Sequence, residues 1–256
     1  MVGTLKVAAI IPAYDAEASV GAVVRETVEL FRGLGSVYVI DDGSSDATAV
    51  RAREAGATVV SQPLNMGKGA ALRRGFLRSW EDGHEAVVTL DADGQHPPVE
   101  GRRLALLDAP RDSLVLGIRD LAGAGAPRPN QISNQISNGF LSAFSRKRLA
   151  DTQCGLRRYP LPTALELGGQ DDGYAFEAEV ILLAIAAGVP IVECPIEVLY
   201  PEDRTTHFDS VIDPMRVIRR VLSTLKKTRM VTRRSTDARP IHRTTSADWA
   251  SSAAEP

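Results

Sequence analysis

Apolar residues recur along the first hundred positions in two alternating rhythms, short unbroken runs and helical stripes. Lys6 to Pro12 is almost continuously apolar, the pattern of a strand buried on both faces of a parallel sheet. Ser19 then stands as an N-cap before Val20, Val23, Val24, Thr27 and Phe31, which share one helix face. Val37 to Ile40 predicts a second strand, and Asp41 to Asp46 a turn leading into a helix that ends near Gly56. Thr58 to Ser61, Lys68 to Trp80 and Ala86 to Val88 continue the alternation as strand, helix and strand. Strands alternating with helices at this spacing imply right-handed crossovers and an α/β fold, with a mostly parallel central sheet flanked by helices.

Such sheets bind ligands at the carboxyl ends of their strands. Pro12 to Tyr14, Asp41 to Asp42 and Asp91 to Asp93 all fall at strand ends, so three loops meet on one edge. In an extended segment alternate residues point the same way, and Asp91, Asp93 and Gln95 would then converge. Two carboxylates held together suit a hard divalent cation, Mg²⁺ or Mn²⁺, that also takes phosphate oxygens. Asp-Ala-Asp-Gly is equally the composition of an ordinary polar turn. No GxGxxG follows the first strand, which argues against a dinucleotide dehydrogenase, and Met66-Gly67-Lys68-Gly69 lacks the upstream glycine of a P-loop. Gly67 and Gly69 are read as a tight helix entry in preference to a phosphate cradle.

At 256 residues and 44% hydrophobic content the chain can build a substantial core without staples. Cys154 and Cys194 lie far apart in no metal-ligand spacing, which fits a reducing compartment. No basic segment with an apolar signal core opens the sequence, and the longest apolar stretch, around Val180 to Val192, is interrupted by Gly188 and Pro190. A cytoplasmic protein without a transmembrane helix is expected. The net charge of −2 conceals an asymmetry: eight bases between Arg216 and Arg234 face no acid in that segment, leaving 22 bases against 32 acids elsewhere.

The segments IPAYDAE (11–17), VIDDGSSDAT (39–48), NMGKGAALRRGF (65–76) and LDADGQHPP (90–98) together resemble the family 2 glycosyltransferases, in their polyprenyl-phosphate sugar synthase branch of the dolichol-phosphate mannosyltransferase type. The resemblance continues through Arg119, DTQCGLRRYP (151–160), GYAFEAEV (173–180) and PIEVLYPEDRTTHF (195–208), and covers about residues 5 to 225. It implies a GT-A type nucleotide-binding sandwich. By likeness, Pro12, Tyr14 and Asp41 hold the base and ribose, with Ala13 and Asp42 also substrate-binding, Asp91 and Asp93 hold the metal and diphosphate, Ala92 lines the nucleotide, and Gln95 is a further metal ligand. Arg119, Arg204 and His207 match positions near donor or acceptor phosphates, and Lys68 and Asp151 lie in substrate-binding motifs. One departure is that Asp15-Ala16 intervenes where relatives place Asn-Glu after the tyrosine, which puts the nucleotide base in question.

The resemblance implies a metal-dependent, inverting transfer of a hexose from a nucleotide sugar (GDP-mannose or UDP-glucose type) to polyprenyl phosphate. The alternatives are a saccharide or other hydroxyl acceptor, or a nucleotide-sugar binding protein without turnover. A hydroxyl acceptor needs a base, for which Asp151, Asp171, Asp172, Glu177 and Glu179 are candidates. Between Pro129 and Leu149, Ile132, Ile136, Phe140 and Phe144 predict a helix packed into the core. From Met215 to Lys227 one face is apolar and the other basic, the pattern of a helix lying on an anionic membrane or packed on the domain with its basic face in water. Nucleic acid is not expected as a partner, because no aromatic residues interleave the bases. The expected organisation is a catalytic domain at 1–213, a basic amphipathic helix at 214–234 and a disordered tail at 235–256, with peripheral contact to the inner face of a membrane.

Overall fold

The computed structural model describes residues 5–145, 147–199 and 242–243. The strands are β1 (Val7–Ala13), β2 (Val37–Asp41), β3 (Thr58–Ser61), β4 (Ala86–Thr89), β5 (Leu114–Arg119), β6 (Arg157–Pro160), β7 (Ile191–Ile196) and the two-residue β8 (His242–Arg243). Between them run α1 (Val20–Leu30), α2 (Thr48–Glu54), α3 (Lys68–Glu81), α4 (Pro98–Leu106), α5 (Arg128–Ser145), α6 (Leu161–Leu167) and α7 (Ala175–Ala186).

One sheet takes the order β3-β2-β1-β4-β6-β5-β7-β8. All its pairings are parallel except those of β6, which is antiparallel to β4 and β5. The chain winds outward from β1 to β3, then returns to place β4 on the other side of β1. This reversal opens a crevice at the carboxyl ends of β1 and β4, the usual ligand position in open α/β sheets. Because β6 runs backwards, its entry loop arrives at the same edge, where Arg157 pairs with Thr89.

Alternate residues of β1 serve opposite cores, which is why its sequence is an unbroken apolar run. Ala8 and Ile10 pack with Leu72, Phe76, Phe176 and Ile181 on one face; Val7, Ala9 and Ile11 pack with Val20, Val24, Phe31 and Leu104 on the other. Gly75 lets α3 lie close on the sheet, since a Cβ there would fall 2.8 Å from Ile10 and 3.2 Å from Ile40.

Two expectations are corrected by this packing. Ser19 does not cap α1 with its side chain: its backbone is already helical, and its hydroxyl turns back towards the Ala16 carbonyl. Helix α5 is also rotated relative to the expectation of a core helix. Ile132 and Ile136 are more than half exposed, whereas Ser133, Asn134 and Ser137 are buried. The buried polar stripe is bound to the loop before β6: the Asn138 amide donates to Ala150 O, its Oδ1 accepts from Thr152 N, and Ser137 pairs with Thr152 Oγ1 at 3.0 Å. Hydrogen bonding to the loop before β6, together with burial of Leu141 in the core, orients this helix. Both cysteines are buried and free. Within the tail expected to be disordered, His242–Arg243 pairs in parallel with β7; the rest of that tail and the basic helix lie outside the described residues.

Candidate active site

Strand β4 ends at Thr89, and Asp91 to Asp93 form a tight turn in place of the extended segment expected from alternation. Gly94 takes φ +74° and the Gln95 amide donates to Asp93 Oδ1 at 2.9 Å, closing the turn. The Leu199 amide holds Gln95 O at 2.8 Å, joining this turn to the segment after β7.

Asp91 lies at the centre of the site. Lys68 Nζ, from the first residue of α3, sits 2.7 Å from Asp91 Oδ1 and 3.4 Å from Glu177 Oε2 on α7. His96 Nε2 approaches Asp91 Oδ2 at 3.8 Å. Burial would raise the Asp91 carboxyl, but Lys68 and its neighbours outweigh it and hold it below the usual carboxylate range. Burial likewise opposes the Lys68 ammonium, yet Asp91 and Glu177 raise its pKa, so Lys68 stays charged. His96 is brought down to about 4 by burial and is neutral near pH 7. Beside them, a Cβ on Gly155 would fall 2.4 Å from Asp91 Oδ2 and 2.9 Å from Lys68 Nζ. The glycine leaves the space that the carboxylate uses.

Arg119, at the end of β5, forms the second arm of the site. It grips Asp151 bidentately, with Nε–Oδ2 2.7 Å and Nη2–Oδ1 3.0 Å, and its own amide adds a bond at 3.2 Å. Asp151 Oδ1 also accepts from the amides of Gln153 and Cys154. A cleft of about 200 Å³ opens beside Arg119, walled by Leu121, Ala122 and the α5 side chains Gln131, Gln135 and Asn138.

At the β1 and β2 ends, Ala13 O accepts from the Asp42 amide at 2.8 Å. The Asp42 carboxylate is turned inward and receives Met66 N and Gly67 N at 2.8 Å each, together with Gln62 Nε2. Asp42 thereby shapes the entry to α3. Asp41 Oδ1 accepts from Ser44 N at 3.1 Å, and Pro12 and Tyr14 are half-buried at the same edge. In the segment that departs from the resemblance, Asp15 accepts from Ser45 N and Glu17 from Ala47 N, so both acids tie the first loop to the second.

Gly67 and Gly69 serve a close approach. The Gly69 and Ala70 amides donate to Asp172 O, and a Cβ on Gly67 would lie 2.3 Å from that same carbonyl. The first free amides of α3 are therefore taken up by the chain itself, as the helix-entry reading expects. Glu179 is buried, its Oε2 accepting from Gln170 N and Asp171 N at 2.8 Å each. Asp171 Oδ1 accepts from Gly173 N, and Asp172 pairs with Arg73. Arg204 and His207 lie outside the described residues.

Asp91, Asp93 and Ala92 thus share the crevice with Lys68, while Arg119 and Asp151 stand beside it. No cluster of three or more His, Cys, Asp or Glu side chains with metal-binding geometry occurs among the described residues. Two carboxylates and an amide side chain still suit Mg²⁺ or Mn²⁺, which complete their shells with water and phosphate oxygens.

Several contributors were not singled out by sequence. Gly155 and His96 sit inside quoted motifs without carrying a motif of their own. Arg157, fully buried, donates to Cys154 O, Glu177 O and Thr152 O at 2.7–2.9 Å, fastening the β6 entry loop to α7. Its signal is only an arginine at the head of a short strand, Arg157–Pro160.

Comparison with known proteins gives a consistent picture. The profile described as glycosyl transferase family 2 matches residues 8–159. An uncharacterized protein of Methanocaldococcus jannaschii is 27% identical over 220 residues, which is 82% of this chain and 88% of that protein. A dolichyl-phosphate beta-glucosyltransferase of Trichomonas vaginalis is 26% identical over 73% of this chain and 62% of its own length. An undecaprenyl-phosphate 4-deoxy-4-formamido-L-arabinose transferase of Salmonella paratyphi B is 32% identical over 61% of this chain, but this chain spans about half of that enzyme, 49%. Among solved structures, glucosyl-3-phosphoglycerate synthase of Mycobacterium tuberculosis, in complex with Mn²⁺, UDP and phosphoglyceric acid, shares the fold with a TM-score of 0.70 at 22% identity, covering 88% of this chain and 78% of its own.

Proposed function

The chain belongs to glycosyl transferase family 2 and is a glycosyltransferase of GT-A fold; from that premise we propose that it transfers a hexose from a nucleotide sugar to a polyprenyl phosphate, with inversion and with Mg²⁺ or Mn²⁺. As the anomeric carbon loses its diphosphate, negative charge builds on the departing oxygen. A divalent ion, when bound by Asp91 and Asp93 with Gln95 beside them, supplies charge stabilisation to that leaving group. Lys68 and Arg119 add fixed positive charge on either side of the crevice, in a setting too buried for water to screen them. Pro12, Ala13, Tyr14 and Asp41 border the crevice where the nucleoside would lie, and Asp42 holds the wall behind it.

One observation favours a phosphate as the acceptor over a hydroxyl. Four of the five carboxylates expected as a base are held in close contacts, Asp151 by Arg119, Asp171 by the Gly173 amide, Asp172 by Arg73 and Glu179 by two amides, and the fifth, Glu177, is buried with one oxygen towards Lys68. A hydroxyl needs one of them to accept its proton, whereas a phosphate monoester brings an oxygen that is already anionic. The cleft beside Arg119 supports that reading, since it offers a guanidinium and the amide side chains of Gln131, Gln135 and Asn138 to a phosphate.

The experiment that tests the reading compares undecaprenyl phosphate with undecaprenol as acceptors, across GDP-mannose and UDP-glucose. Transfer to the phosphate alone is expected. Transfer to the free alcohol at a similar rate contradicts it.

A further inference from the structure

Lys68 occupies an unusual position. It opens α3, where the helix dipole presents positive charge and disfavours a lysine. It is kept there by two carboxylates from different parts of the chain, Asp91 after β4 and Glu177 on α7. The two contacts are unequal, 2.7 Å and 3.4 Å, so the ammonium rests on Asp91 and leans towards Glu177. Glu177 has capacity to spare: its side chain is 6% exposed, and its Oε1 has no hydrogen-bond partner among the described residues. A buried carboxylate oxygen left unpaired is costly, and its retention beside a lysine calls for a reason.

The cation expected at Asp91 supplies one. An ammonium hydrogen-bonded to Asp91 Oδ1 and a divalent ion on the same carboxylate repel each other. A movement of roughly half an ångström by Lys68 would bring Glu177 Oε2 within full hydrogen-bond distance, and an ammonium has three donors to share between the two oxygens of that carboxylate.

We propose that Glu177 is a positioning residue which, through Lys68, clears Asp91 for the divalent cation by giving the displaced ammonium a second carboxylate to rest on. The inference depends on Asp91 being a metal ligand, as the proposed function has it. Lys68 is thereby kept in the crevice, charged and beside the departing diphosphate, when Asp91 turns to the metal. The same arrangement would keep Lys68 a neighbour of Asp91, Glu177 and the donor phosphates.

The test is a double-substitution cycle read by Mn²⁺ affinity, measured from the loss of the free-Mn²⁺ electron paramagnetic resonance signal on titration with the full-length protein. In Glu177→Gln the ammonium has Asp91 alone, and Mn²⁺ affinity is expected to fall about tenfold. In Lys68→Gln, which keeps a neutral donor, it should equal or exceed that of the unaltered chain. In the double variant, Glu177→Gln should change affinity by less than threefold, because nothing remains to be displaced. An equal loss in both backgrounds means that Glu177 acts as a ligand or as a bare charge, and overturns the inference; so does no loss in either. Should Glu177→Gln fail to give a cooperative melt, Glu177→Asp carries the same cycle: it keeps the charge but withdraws it by one methylene, and a Lys68-dependent loss is again expected. Absence of Mn²⁺ binding to the unaltered chain contradicts the metal reading itself and takes the inference with it.

Discussion

Arg119 and Asp151 face each other across the β5 end and the β6 entry loop in a two-point contact, and the Asp151 carboxylate at its centre is wholly removed from solvent. The pair orients the guanidinium along the cleft and satisfies a buried charge in the same contact. Asp151→Asn leaves Arg119 poorly paired. Breaking a buried pair in this way costs about 3 kcal/mol, and denaturant unfolding should register that loss together with lowered transfer.

Gly155 controls the space around Asp91. Gly155→Ala would place a methyl group 2.4 Å from Asp91 Oδ2, forcing the carboxylate aside. A displacement of that size at a reacting site lowers kcat/KM roughly a hundredfold, while the melting temperature should change little. Steady-state kinetics beside a melt distinguishes this from general unfolding.

Stability should depend on His96. Its folded pKa, about 4, lies below the ordinary histidine value, so the unfolded chain binds a proton first as pH falls. The stability that comes from keeping His96 neutral is fully present above about pH 6.5 and is lost progressively towards pH 4. Between pH 7.5 and 5 the loss is about 2 kcal/mol. Urea unfolding at the two values checks it, and His96→Phe should flatten the difference.

The basic segment from Arg216 to Arg234 predicts attraction to anionic lipid of about 1 kcal/mol per base near the surface. Co-sedimentation with phosphatidylglycerol vesicles should be strong at low salt and weak at 0.5 M, about where screening becomes severe. Salt-independent sedimentation, or none, contradicts an electrostatic membrane contact. No helix among the described residues is long and apolar enough to cross a membrane.

The alternation of apolar runs and stripes was sufficient to place β1 to β4 and α1 to α3 within a residue or two, because a doubly covered strand and a one-sided helix leave different periods. It was not sufficient for α5. The Ile132–Ile136 stripe reads as a core face, but hydrogen bonds from Asn138 and Ser137 to the β6 entry loop, with Leu141 in the core, set a different rotation, and the pairing of polar side chains with a loop leaves no period in sequence. The Asp91–Asp93 loop was legible as chemistry but not as shape, since Gly94 turns the chain where alternation implies extension. Glu177 was one of five candidate carboxylates in the sequence, and not one placed in the substrate site; only the approach of α7 to the start of α3 sets it beside Lys68. Asp42, expected beside the nucleotide, turns inward to the α3 entry, a choice made by the backbone amides of Met66 and Gly67.

Metal-dependent glycosyl transfer is decided by measuring passage of labelled hexose from GDP-mannose or UDP-glucose to undecaprenyl phosphate by the purified chain, with Mn²⁺ and with EDTA, alongside Asp93→Ala. Lipid-linked hexose is expected with Mn²⁺, none with EDTA, and a loss of about a hundredfold or more in Asp93→Ala, in the range for removal of a main charge-stabilising group. Equal product with EDTA, or unchanged turnover of Asp93→Ala at saturating Mn²⁺, contradicts it.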